Sequence, residues 1–216
     1  ASSDYEIPFL TEAFNYDRNS FYIAGLPRID YLLKSYLKNK KKIYKRYPEF
    51  INKKVILYAP TFRNNNDYRF EKLIDKVDYS KYVLVIKKHE NIRYEISDLK
   101  GAYLIDDFST LKLLSVADFV ITDYSAVSIE AAILNIPIFI WAYDYDEYRK
   151  NPGLNVNLKK EFNHYFSKDI DEIYAMLGEK YDLKVVLDFK NKNVKYLDKR
   201  VTKRLANFIL KESNYE

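Results

Sequence analysis

The segment DFVITDYSAVSIEAAILNIPIFIW, Asp118–Trp141, decides the fold. An apolar run ends in Thr122-Asp123-Tyr124-Ser125, a stretch with helical spacing follows, and a second apolar run opens at Pro137. Strand, polar turn, helix and strand in that order form the βαβ unit of a parallel sheet. Ligands of such sheets sit beyond the carboxyl ends of the strands. That edge here carries a carboxylate, a phenol and the hydroxyls of Ser125 and Ser128 at the mouth of a helix. Free backbone N–H groups and the positive end of the helix dipole suit a phosphate there. A phosphorylated ligand is therefore the first expectation.

Outward from this unit, further apolar runs read as strands: Lys54–Ala59, Tyr82–Ile86 and Ala102–Ile105. Helical spacing is read over Ile29–Tyr44, Phe70–Val77, Ser109–Val116, Asp169–Leu177 and Val194–Lys211. Ala1–Tyr22, the acidic aromatic stretch Tyr143–Tyr148 and Asn151–Asn163 read as irregular. Strands alternating with helices predict an α/β, Rossmann-like, doubly wound parallel sheet from about Lys54 to Lys211. The 216 residues suffice for one good core. Residues 1–27 read as a residual segment or linker, and residues 28–216 as the domain that carries the sheet edge. The chain opens on Ala1, which suggests a processed or excised chain with part of the working protein missing.

Composition narrows the chemistry. There are no cysteines and two histidines, so disulfides, thiolate metal sites and His-rich metal centres are excluded. No apolar run approaches the roughly 20 residues of a membrane span, so a cytoplasmic protein is expected. Of the net charge of +5, the segment from Arg28 to Lys54 holds ten Lys/Arg against Asp30 and Glu49, or +8, leaving −3 elsewhere. A solvated helix face explains such a run, and so does contact with an anionic membrane surface or polyanion. No nucleic-acid recognition motif is present, and nucleic acid is not expected as a partner.

Four polar clusters directly follow strands: Thr61/Arg63, Lys88/His89, Asp106/Asp107 and Asp123/Ser125/Ser128. A parallel sheet aligns all four on one edge. With four glycines and neither GxGxxG nor a P-loop, a phosphate must be held by a helix start, hydroxyls and cations. Arg63 offers a planar fork, and Ser125 suits an N-cap. His89 has the intrinsic pKa for proton transfer and equally for donation to a phosphate oxygen. His164 reads as structural. For Asp106 and Asp107, helix capping is a simpler role than metal binding. No metal and no cofactor are expected.

Five stretches in register carry a resemblance: GLPRID (Gly25–Asp30), LYAPTFR (Leu57–Arg63), KKHE (Lys87–Glu90), Leu113–Phe139 and YDYDEYR (Tyr143–Arg149). Together they resemble the C-terminal region of the CDP-glycerol glycerophosphotransferases, the primases and polymerases of wall teichoic acid, with relatives that build capsule. The resemblance implies the C-terminal half of a GT-B glycosyltransferase-type fold, binding CDP-glycerol or a similar CDP-alditol. It implies that Thr61, Arg63, Lys88, His89, Asp123, Tyr124, Ser125 and Ser128 contact the donor, with His89 stabilising phosphate. It further implies a lipid-linked polymer acceptor, work at the inner face of the cell membrane, and a general base in the N-terminal domain. The sequence departs from the family pattern at Lys88 and Glu90, at Ala126 and over Asn151-Pro152-Gly153. The alternatives to weigh are a nucleotide-sugar glycosyltransferase or epimerase-like domain, and a basic membrane- or polyanion-binding module without catalysis.

Overall fold

Five-residue runs rich in β-branched side chains set the centre of the sheet. A computed structural model describes residues 1–63, 67–87, 96 and 98–213. Helices α1 (Ile7–Phe14) and α2 (Arg28–Arg46) precede strand β1 (Lys54–Tyr58), helix α3 (Phe70–Lys76) and strand β2 (Tyr82–Ile86). Then come β3 (Tyr103–Leu104), α4 (Thr110–Leu113), β4 (Phe119–Thr122), α5 (Val127–Ile133) and β5 (Ile138–Trp141). The chain continues through α6 (Tyr145–Tyr148), α7 (Leu158–Phe162), β6 (Phe166–Ser167), α8 (Ile170–Met176), α9 (Leu183–Asn193) and α10 (Val201–Glu212).

The strands form one six-stranded sheet in the order β3-β2-β1-β4-β5-β6, and every adjacent pair is parallel. After the first residue, β1 and β2 are buried throughout, and all of β5 is buried. Continuous apolar strands of this kind need cover on both faces. The crossovers supply it: β1 to β2 runs one way through α3, and β4 to β5 the other way through α5. Accordingly α2, α4, α5 and α9 pack as one connected layer, while α3 packs with α8. This is the Rossmann-like doubly wound α/β architecture that the spacing predicts.

Several boundaries differ from the sequence reading. Helix α1 and the short α6 and α7 lie in stretches read as irregular, and β6 was not anticipated. The helix expected over Val194–Lys211 begins only at Val201, and α9 ends just before it. The intervening turn is held by Asp198, which accepts from the Arg200 backbone N–H at 3.0 Å and pairs with Arg204 at 2.5 Å. Helix α9 starts at Asp182, whose carboxylate accepts from Lys184 N at 3.0 Å, an N-cap in the usual sense.

The start of α2 is tied to the far end of the chain. Gly25 adopts φ 91°, and an added Cβ would lie 3.2 Å from both Val201 γ-carbons, so the GLPRID turn needs glycine there. Buried Asp30 accepts from Val201 N at 3.1 Å and Thr202 N at 3.0 Å, capping α10 from another helix. Residues 1–27 pack on the same region: Ser2 O accepts from Lys195 N at 3.1 Å, and Tyr22 stacks on Phe208.

Candidate functional site

The sheet order reverses direction between β1 and β4. These strands pair with Ile56 opposite Phe119 and Tyr58 opposite Ile121. From their carboxyl ends the chain departs to opposite sides, which opens a crevice at the topological switch point. The loop after β1 supplies Thr61 and Arg63, and the turn after β4 supplies Asp123, Tyr124 and Ser125.

Asp123 joins the two loops. Its Oδ1 accepts from Thr61 N at 2.8 Å, Thr61 Oγ1 at 2.7 Å and Tyr124 N at 2.6 Å. Its Oδ2 accepts from an Arg63 terminal nitrogen at 2.6 Å. The Arg63 guanidinium continues to Asp144, bidentate at 2.7 and 3.0 Å, and Tyr124 Oη donates to Asp144 Oδ1 at 2.9 Å. Tyr143 lies under the guanidinium, 4.7 Å from its centre. Arg63 is only 6% exposed, so its fork is directed inward, onto two carboxylates. Burial alone would lower the Arg63 pKa, but the Asp144 hydrogen bonds and the Asp123 charge outweigh it and raise it. Burial likewise pushes Asp144 up, and the Arg63 contacts override it and hold the carboxyl below its ordinary range. The Tyr124 phenol is pushed up by burial and by Asp144, so it stays protonated and donates.

On top of this network the turn into α5 separates two clefts. Ser125 and Ala126 line both. One cleft, of about 440 Å³, runs between α5 and α9 and is lined by Tyr124, Ser128, Tyr148, Asn155, Phe189 and Asn193 among others. Tyr124 and Tyr148 stack there at 3.9 Å. The other, of about 230 Å³, lies over the switch point and carries Arg28, Lys87, Thr110 and Glu130. Lys87 donates to Ile105 O at 3.1 Å and faces Asp106 at 3.5 Å. Ser128 Oγ donates to Ser125 O at 2.9 Å. Ser125 Oγ accepts from Val127 N at 3.4 Å, a long bond, and the N-cap position of α5 falls to Ala126.

Six of the residues expected from sequence thus gather at one place: Thr61, Arg63, Asp123, Tyr124, Ser125 and Ser128. Lys88 and His89 lie outside the described residues. Asp106 and Asp107 do not cap α4, whose N-cap position is Ser109. They face Lys87, and Tyr47 with Arg46, respectively. His164 sits at the surface against Glu179 at 2.8 Å. Sequence reasoning missed Asp144, Tyr148, Lys87, Arg28 and Glu130. Glu130 had a signal, being the one acid in the otherwise apolar or small-residue stretch Ala126–Leu134 beside the serines.

The basic segment follows a different plan. On α2, Ile29, Leu32 and Ile43 are buried, while Lys38, Lys41, Lys42 and Lys45 project outward with no acidic partner among the described residues. Leu37 stands among them, 71% exposed.

Comparison with known proteins gives the family and the fold. The teichoic acid glycerol-phosphate primase of Bacillus subtilis is 32% identical over 208 residues, covering 92% of this chain and 53% of the primase. The teichoic acid poly(ribitol-phosphate) polymerase of Bacillus spizizenii is 29% identical over 220 residues, covering 92% of this chain and 35% of the polymerase. A variant of the wall teichoic acid polymerase TagF superposes with a TM-score of 0.79 at 22% identity, over 98% of this chain and 57% of that one. A TagF variant soaked with CDPG gives 0.72 at 24% identity, over 98% and 56%. The chain spans about half the length, or less, of the curated relatives it matches. The family described as CDP-glycerol:poly(glycerophosphate) glycerophosphotransferase matches residues 1–211, and the chain belongs to that family.

Proposed function

We propose that this chain is the donor-binding half of a transferase that moves glycerol phosphate, or a related alditol phosphate, from a CDP-activated donor to a lipid-linked polymer. The products are teichoic acid or capsule. The observation that carries this reading is the Asp123 junction, which fixes the turn Tyr124–Val127 at the switch point of a sheet in a glycerophosphotransferase-family chain. In the reaction, the acceptor hydroxyl gives its proton to a base and attacks the β-phosphorus. A new P–O bond forms as the bond to the α-phosphate breaks, and CMP leaves. Catalysis then consists of orienting this displacement and neutralising the departing phosphate.

Within that scheme the residues divide their work. Thr61, Arg63 and Asp123 hold the two loops in register. Tyr124, Ser125 and Ser128 face the donor, and Lys88 with His89 stabilises phosphate. The base is expected on the N-terminal domain of the family. Calorimetric titration with CDP-glycerol, CDP, CMP and UDP, repeated on Ser125→Ala and His89→Ala, tests the reading. Tighter binding of CDP compounds than UDP, weakened by both substitutions, is expected. Preference for UDP would move the chain to the nucleotide-sugar transferases.

A second role is favoured by Lys38, Lys41, Lys42 and Lys45 of α2, which surround exposed Leu37 and have no acidic partner among the described residues. We read this face as contacting the anionic membrane that carries the acceptor. Each lysine near such a surface contributes about 1 kcal/mol, screened within a Debye length. Binding to phosphatidylglycerol vesicles that falls with salt is expected, with none to phosphatidylcholine vesicles. Among the described residues no helix is long and apolar enough to cross a membrane.

A further inference from the structure

A further cleft, of about 260 Å³, opens between the starts of α3 and α8, on the face of the sheet opposite α5. Among the described residues it is lined by Arg69, Lys72, Trp141, Lys168, Asp169 and Ile170. Three cations thus meet one cleft from three segments: Arg69 just before α3, Lys72 in its first turn and Lys168 just after β6. Trp141, the last residue of β5, is 1% exposed, and its indole Nε1 is buried with no hydrogen-bond partner among the described residues. Buried polar groups without a partner are uncommon in native proteins, and this one can only donate.

The cleft is rich in donors and short of acceptors. The Asp169 carboxylate serves its own helix, accepting from Asp171 N at 2.8 Å. Arg69 Nε meets Asp67 at 3.3 Å, and Lys168 pairs with Asp146. Both of those carboxylates reach solvent, so the pairs are weak and can exchange for another anion. Lys72 has no acidic partner among the described residues. A guanidinium fork, two ammonium groups and an indole N–H together suit the oxygens of a phosphate. The Arg69 guanidinium lies 4.3 Å from the centre of the Tyr143 ring, and the Arg63 guanidinium lies 4.7 Å from the same centre. One tyrosine ring therefore links the cleft to the Asp123 junction.

We propose that this cleft binds a phosphodiester of the growing polymer, with Arg69, Lys72 and Lys168 supplying charge and the Trp141 indole supplying an N–H. A polymer of alditol phosphate carries a negative charge at every repeat, so a subsite near the reacting end retains the chain while that end is extended. The proposal rests on the transferase reading above, and adds where the acceptor chain is held: on the α3–α8 face, away from the two clefts that flank the start of α5.

Trp141 is the one tryptophan of the chain, so its fluorescence reports on the cleft directly. The test is fluorescence titration with a short synthetic oligomer of phosphodiester-linked glycerol phosphate, with glycerol 3-phosphate and with glycerol, each repeated by calorimetry. A saturable change is expected with the oligomer, at an affinity about tenfold above that of glycerol 3-phosphate because more than one phosphate can meet the three cations, and none with glycerol. Lys72→Gln and Lys168→Gln should each weaken oligomer binding about threefold, and the two with Arg69→Gln about tenfold or more. Equal affinity for the oligomer and glycerol 3-phosphate would assign the cleft to a free phosphate and overturn the polymer. Oligomer binding that survives the triple variant, and is lost instead when the α2 lysines are replaced, overturns the proposal as well. Failure of the oligomer to bind while CDP-glycerol binds removes the proposal and leaves the donor-binding reading standing. Binding of neither removes both.

Discussion

Arg63 and the lysines of α2 carry the same charge in opposite surroundings. Arg63 is buried between Asp123 and Asp144, with three of its nitrogen-to-carboxylate distances at or below 3.0 Å. Lys38, Lys41, Lys42 and Lys45 meet no carboxylate among the described residues. A buried ion has to be paired, and removing its partner is costly; a solvated one can be exchanged almost freely. The contrast separates two uses of charge in one chain. The buried set fixes the shape of the loops that form the crevice. The exposed set leaves its charge available to something outside the protein.

Breaking the buried set should have the largest effect. Arg63→Ala leaves two carboxylates facing each other inside the crevice, and a loss of about 3–5 kcal/mol in urea denaturation is expected. A loss under about 1 kcal/mol would mean that the loops hold without the network. A smaller cut tests the same network from its other side. Tyr124→Phe removes the hydroxyl that donates to Asp144 at 2.9 Å, and should cost about 1.5 kcal/mol with the stack on Tyr148 retained.

Acid sharpens the contrast further. The Asp144 carboxyl is held below its ordinary value in the folded state, so its contribution is complete above the unfolded pKa of about 3.9. It is lost as pH falls through the folded value. Denaturation midpoints measured between about pH 5 and 2.5 should therefore fall more steeply for the wild type than for Arg63→Ala. Parallel slopes would remove Asp144 from the acid response.

The least effect is expected at the exposed set. Lys38→Gln, Lys41→Gln, Lys42→Gln and Lys45→Gln together should change stability by no more than about 0.5 kcal/mol. A clear destabilisation would show that these lysines belong to the fold after all.

How legible the molecule was from its sequence follows the same division. The central strands could be read because β-branched runs such as Val55–Tyr58 and Val83–Ile86 are buried on both faces. Helix α9 could not, because Leu183 and Leu187 are exposed while Val186 and Phe189 are buried, which blurs the apolar stripe. Strand β6 is two residues long and gives no periodic signal. Thr61 and Asp123 were legible because each follows a strand. Asp144 was not, since its role depends on Arg63, 81 positions away. The inward direction of the Arg63 fork depends on those same carboxylates, so the sequence suggested a ligand where the structure supplies two internal partners.

The cap that Asp30 places on α10 bears on how the protein is made. Its two amide partners are 171 and 172 positions further along the chain. At roughly 5–20 residues per second of synthesis, a nascent chain carries this carboxylate without its partners for about 10–30 s. The start of α2 and the GLPRID turn can reach their final packing only after Val201 has emerged. Throughout that interval, while all six strands are being made, the basic helix has one end unsecured.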